Sequence, residues 1–168
     1  DGKVHWRVEL VKDLGGKVPN WGYTESVLVD GGHVICTPGG KRAVAAVLYT
    51  AADDTDTATD GVQLPNGKSV GDVKTAAVPA VGTLAAIDKE TGEVIWRSGD
   101  WTDGAQYTSV LPAVFNGQRQ FVQLTQKTLA GVSARDGSVL WRNEWRGRTA
   151  VIPTPIIDGK QVYISSGY

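Results

Sequence analysis

Apolar and polar positions along this chain change over short distances, with no stretch that keeps a helical period. Runs such as His33-Val34-Ile35-Cys36-Thr37, Phe121-Val122-Gln123-Leu124-Thr125 and Gln161-Val162-Tyr163-Ile164-Ser165 are short and rich in strand formers. Upstream of each lies a second apolar stretch: Glu25 to Gly31, Leu111 to Gly117 and Thr154 to Gly159. Each of these ends in Asp-Gly or Asn-Gly, and such a dipeptide between two strand-like runs predicts a hairpin.

The pattern repeats. Residues 83–96 align without gaps on residues 128–141, and Gly-x-Val-x-Trp-Arg is spelled three times, at Gly2 to Arg7, Gly92 to Arg97 and Gly137 to Arg142. One unit reads strand, Asn/Asp-Gly turn, strand, turn, strand, Thr-Gly or Asp-Gly turn, strand ending in Trp. Such a meander exposes apolar surface on both faces, so it must stack on a copy of itself. Its size is that of a β-propeller blade. The expected fold is all-β, a propeller of four-stranded antiparallel blades, present as a partial propeller of about two full blades plus flanking strands.

The expected organisation is one partial domain over 1–168. Residues 1–7 supply the last strand of a preceding blade, 21–98 form a blade interrupted by an insertion over 38–82, 106–142 form the next blade, and 150–168 give the first two strands of another. A propeller closes with roughly four to eight blades, so further blades of the same ring are the expected first partner. The insertion is marked by Gly39-Gly40, an acidic Thr-rich stretch around Asp53, Asp54, Asp56 and Asp60, and Leu64-Pro65-Asn66-Gly67. Within it, Ala43 to Tyr49 is apolar enough to be one arm of an excursion hairpin.

Composition narrows the function. Seventeen Lys and Arg stand against eighteen Asp and Glu, with no basic stripe to follow phosphates, so no nucleic acid is expected. No apolar run approaches the length of a membrane span. The acidic stretch before Gly61 lacks the spacing of a calcium loop, and His5 and His33 lack metal-ligand spacing. Cys36, the sole cysteine, reads as a buried strand residue. No metal, cofactor or catalytic residue is assigned on these patterns.

Two sets of residues stand out. Gly92 and Gly137 supply tight turns, and Trp6, Trp96 and Trp141 end strands with a large flat body and one N–H, suited to the joint between blades. Glu25, Gln106 and Tyr107 lie where first strands begin, at the mouth of the channel, and are the candidate binding rim. Gln123, Gln126 and Lys127 are placed on the opposite face.

Ala86-Ile87-Asp88-Lys89-Glu90-Thr91-Gly92-Glu93-Val94-Ile95-Trp96 resembles the blade signature of pyrroloquinoline-quinone (PQQ)-type propeller repeats at every defining position. In the second copy, Ser133 and Asp136 replace the signature Asp and Thr, so different side-chain hydrogen bonds are expected in that turn. The chain looks closest to the secreted PQQ-binding-like β-propeller repeat proteins of planctomycetes. The resemblance implies a periplasmic or extracellular protein and two classes of function. One is a non-catalytic scaffold or protein-binding module of the cell envelope, with another envelope protein as partner and no cofactor. The alternative is a quinoprotein dehydrogenase that uses PQQ and Ca²⁺ to oxidise alcohols or sugars. The alcohol-oxidising members place an adjacent Cys-Cys disulfide against the quinone, which this chain cannot form.

Overall fold

The computed structural model describes residues 2–51, 70–78 and 80–166. Among the described residues the strands are β1 (Leu28–Asp30), β2 (His33–Cys36), β3 (Val44–Ala51), β4 (Val70–Val78), β5 (Ala85–Asp88), β6 (Val94–Arg97), β7 (Leu111–Phe115), β8 (Gln118–Leu124), β9 (Thr128–Ser133), β10 (Val139–Glu144), β11 (Ile156–Asp158) and β12 (Gln161–Tyr163). Among the described residues there is no helix long and apolar enough to cross a membrane. The chain divides into two compact units, residues 1–42 with 80–168, and residues 43–79.

The larger unit is a partial β-propeller. Its first blade has the order β1-β2-β5-β6, its second β10-β9-β8-β7, and β11 pairs with β12 beside them, all antiparallel. The insertion therefore interrupts the first blade between its second and third strands without disturbing the ladder. The two arms leave as a narrow stem, with Lys41 and Val81 exchanging N–H···O bonds of 2.9 and 2.8 Å. The smaller unit is a hairpin of β3 on β4, paired from Val44↔Val78 to Ala51↔Val70, with Ala43 to Tyr49 falling largely within its first arm.

The stacking of blades follows from where the apolar side chains go. Ile35, Leu84, Ala86 and Trp96 of the first blade bury with Val110, Phe121, Ala130 and Val132 of the second in one cluster. The other face of the second blade, through Ala113, Val122, Leu124 and Leu129, packs on Val151, Ile157 and Val162. The outer face of the first blade, through Cys36, Ala85 and Ile87, is covered by Leu14, Trp6, Val8 and Leu10. Each of the two four-stranded blades thus buries both faces against its sequence neighbours, as quasi-one-dimensional repeats do.

Two features of register were not legible as simple repetition. The β7–β8 ladder runs over five pairs, Leu111↔Val122 to Phe115↔Gln118, whereas β1–β2 and β11–β12 have three. As a result Asn116 and Gly117 form a two-residue loop with φ of 52° and 77°, the conformation of a type I′ hairpin. In the shorter hairpins the Asp is the last paired residue and the loop is Gly31-Gly32 or Gly159-Lys160. Aligning the chain on Asp/Asn-Gly therefore misplaces the second blade's loop by one position. Residues 2–7, the described part of the segment where the repeat places a closing strand, carry no ladder in the structure.

Candidate functional site

The joint between blades is built from a bulge, a glycine and an indole. In the first blade Ile87 pairs with Val94 and Ala86 with Trp96, so Ile95 is an extra residue. In the second, Val132 pairs with Val139 and Gly131 with Trp141, leaving Leu140 extra at the equivalent place. A bulge bends and twists its strand and re-aims the next side chain. Trp96, 8 % exposed, then crosses to the next blade. Its Nε1–H donates to the Ala134 carbonyl at 3.3 Å and its ring lies 6.1 Å from that of Phe121. A Cβ on Gly137 would sit 2.5 Å from Trp96 Cε3.

Trp6 makes the same contact one blade earlier. Its Nε1–H donates to the Lys89 carbonyl at 2.8 Å, and a Cβ on Gly92 would lie 2.9 Å from its ring. Trp141 differs: its Nε1–H meets Gln120 Oε1 at 2.5 Å in its own blade, over Gly131, and its ring tilts against Phe115 at 6.3 Å. Ala86 occupies the place of Gly131 in the first blade, and the indole there is aimed at the neighbour instead.

The turns under these rings hold themselves by side-chain capping. Asp88 Oδ1 accepts the N–H groups of Glu90 and Thr91 at 2.9 and 2.8 Å, and Thr91 Oγ1 accepts that of Glu93 at 3.2 Å. In the second blade the roles exchange. Ser133 Oγ accepts the Arg135 N–H at 3.3 Å, and Asp136 Oδ1 accepts the N–H and hydroxyl of Ser138 at 3.2 and 2.7 Å. The Thr91 and Glu90 N–H groups hold the Asp88 carboxyl below its ordinary range. The Ser138 hydroxyl, then that of Ser133, does the same for Asp136.

The segments that lead into the first strands are stitched across blades. Ser26 N–H donates to Ser109 Oγ at 3.3 Å and Ser109 N–H to Thr154 Oγ1 at 3.1 Å. Of the rim candidates, Gln106 is engaged at both ends of its amide: Oε1 accepts the Val151 N–H at 3.3 Å and Nε2 donates to the Ala105 carbonyl. The Tyr107 hydroxyl accepts the Trp21 N–H at 3.3 Å, and the two rings lie 5.8 Å apart, tilted by 56°. Trp21 is 60 % exposed. Burial, then the Glu25 charge, raises the pKa of the Tyr23 hydroxyl.

Burial raises the Glu25 carboxyl above its ordinary range, opposed by the backbone N–H groups of Glu25 and Thr24, and among the described residues its buried Oε2 has no hydrogen-bond partner. Burial, then the Glu25 charge, pushes the Cys36 thiol up to about 12, which keeps it protonated and unreactive. A carboxyl whose folded value is raised contributes most stability below its unfolded value and loses it as pH rises through the folded one. Glu25→Gln is therefore expected to raise the melting temperature near neutral pH and to leave it unchanged below about pH 4. Thermal melts at both pH values check this; an equal shift at both would assign the effect to packing.

Gln126 and Lys127 fall at the same end as the rim, correcting their expected placement on the opposite face. β8 runs back beside β7, so its end, Leu124, lies at the start of β7, and the turn after it bonds to the segment leading to β11. Trp145 N–H donates to the Lys127 carbonyl, Gly147 N–H to that of Gln126, and Gln126 Nε2 to that of Arg148. Gln123 is fully buried, its Nε2 donating to the Thr108 carbonyl and hydroxyl at 3.0 Å.

At the other end, a cleft of about 700 Å³ opens between the turns of the first and second blades. Arg119, on the longer hairpin, spans it with a two-pronged ion pair to Asp30, Nε to Oδ2 at 3.0 Å. The hydrogen bond with Asp30, then its charge, raises the Arg119 pKa. Among the described residues no three His, Cys, Asp or Glu side chains converge as metal ligands. The acidic stretch of Asp53, Asp54, Asp56 and Asp60 lies outside the described residues.

Residues 65–168 match a family model described as outer membrane protein assembly factor BamB. The chain belongs to the PQQ-like β-propeller repeat family. Comparison with curated proteins and with solved structures finds no match. The PQQ-like repeat assignment accounts for the shared bulge, turn and indole of the two blades. Cys36 lies inside the sheet with its thiol 3.8 Å from the Ala85 carbonyl.

Proposed function

We propose that this chain is a non-catalytic PQQ-like propeller module that holds a protein partner in the periplasm or outside the cell. The observation that carries this reading is the exposed aromatic patch at the strand starts, where Trp21 leans on Tyr107 and Ile152 is 53 % exposed beside the next blade. Trp and Tyr are the residues that most often anchor protein interfaces, and an aromatic pair fixed by a backbone hydrogen bond loses little freedom on binding. The description of the matched family, an outer membrane assembly factor, supports an envelope setting.

On this reading Trp6 and Trp96, with Gly92 and Gly137, fasten blade to blade, Trp141 braces its own blade against Gln120 and Phe115, and none of the three indoles binds a cofactor. Of the three rim candidates, Tyr107 belongs to the contact patch, Gln106 ties adjacent segments together, and Glu25 has a buried carboxylate oxygen. The test uses the intact protein in the cells that make it. A photo-crosslinker in place of Trp21 should give one discrete adduct with an envelope protein, and Tyr107→Ala should abolish it. Loading with PQQ and Ca²⁺ should give no dye reduction with alcohols or aldoses. Quinone-dependent turnover would overturn the proposal.

A further inference from the structure

A groove of about 400 Å³ lies between the loop that follows β6 and the outer strand of the second blade. Its lining carries both signs of charge. Arg142 and Glu144 stand two apart on β10 and so share a face, followed by Arg146, with Lys127 on the neighbouring turn and Asp100 on the facing loop. Arg42, Lys127, Arg142 and Arg146 make no ion pair within 4.0 Å among the described residues, and neither do Asp100 and Glu144. Opposite charges thus line one groove without closing it on themselves.

Two tryptophans complete the wall. Trp145 is held by its Nε1–H, which donates to the Thr125 carbonyl at 2.9 Å, so its ring is fixed before any ligand arrives. Trp101 is 2 % exposed, and among the described residues its indole N–H has no acceptor. An orphan donor of this kind is a group that a ligand oxygen or an ordered water satisfies. Asp103 is already tied to the Thr125 hydroxyl, at 2.7 Å.

We propose that this groove binds an acidic glycan, a chain of sugar rings carrying carboxylates. Guanidinium groups pair with carboxylates through charge-assisted, often two-pronged hydrogen bonds, a role for Arg142 and Arg146. Sugar hydroxyls donate to carboxylates, a role for Asp100 and Glu144. The C–H face of a sugar ring is apolar and lies on an aromatic face, a role for Trp145. An acidic peptide would set its own carboxylates against Asp100, Asp103 and Glu144 without hydroxyls to offer them, so the mixed lining favours the glycan. The site is separate from the aromatic patch at the strand starts, and neither reading depends on the other.

The test is isothermal titration of the intact protein with oligogalacturonate, with its fully methyl-esterified form and with poly-glutamate. Oligogalacturonate should bind, and the ester should bind at least about tenfold more weakly. The Arg142→Ala/Arg146→Ala double variant, altered only at exposed positions, should lose a similar factor toward oligogalacturonate and almost none toward the ester. Trp145→Phe, which keeps a ring but not the fixing hydrogen bond, should weaken both ligands. Absence of binding, binding that ignores esterification, or equal binding of poly-glutamate would overturn the proposal.

Discussion

Trp96→Ala is expected to cost about 3–5 kcal/mol of stability, the range for deleting a buried aromatic ring. The indole is 8 % exposed and belongs to the cluster shared by both blades, so its removal leaves a cavity at a joint rather than within one sheet. It also deprives the Ala134 carbonyl of its donor and Phe121 of its aromatic neighbour. Sheets within each blade keep their ladders, so the loss falls on stacking. Urea denaturation measures it, and a change below about 1 kcal/mol would show that the ring is not central to the joint. Trp141→Ala should cost less, because that ring is only half-buried and bonds within its own blade.

Gly137→Ala is the second large effect expected, about 2–4 kcal/mol. Two costs combine. The residue has a φ of 74°, which disfavours any L side chain by roughly 1–2 kcal/mol, and its new Cβ would lie 2.5 and 2.9 Å from two atoms of the Trp96 ring. That ring is buried and cannot swing clear, so the overlap must be relieved by shifting a packed joint. Gly92→Ala meets Trp6 at 2.9 Å, but Trp6 is only half-buried and can tilt, so a smaller loss is expected there. Gly137→Asn separates the two costs: Asn tolerates a positive φ but keeps the Cβ, so a loss near that of Ala would assign most of the effect to the ring contact.

The blades were legible because local chemistry repeats with the fold. The 83–96 and 128–141 segments carry the same bulge, the same glycine and the same indole, and even the exchange of Asp88 and Thr91 for Ser133 and Asp136 preserved two capping acceptors per turn. The insertion was visible for the same reason, as a stretch that interrupts a repeat without belonging to it. Hairpin length was not legible, because adding two residues to each arm of β7–β8 leaves the alternation intact and only moves the turn. Nor was the charged groove: Asp100, Lys127, Arg142 and Trp145 come from a loop, a turn and the end of a strand, and only the packing of two blades brings them together. Gln106 looked free on a polar segment, yet the segment one blade on supplies the N–H its amide accepts, 45 residues away.

The indole ending the first blade is seated on the glycine turn of the second. A double-mutant cycle in urea on Trp96→Ala and Gly137→Ala tests this claim most directly. With the indole gone, the alanine at position 137 meets no ring and only its backbone cost remains. The two losses should therefore fall short of additivity by about 1–2 kcal/mol. Losses that add to within about 0.5 kcal/mol would contradict the claim.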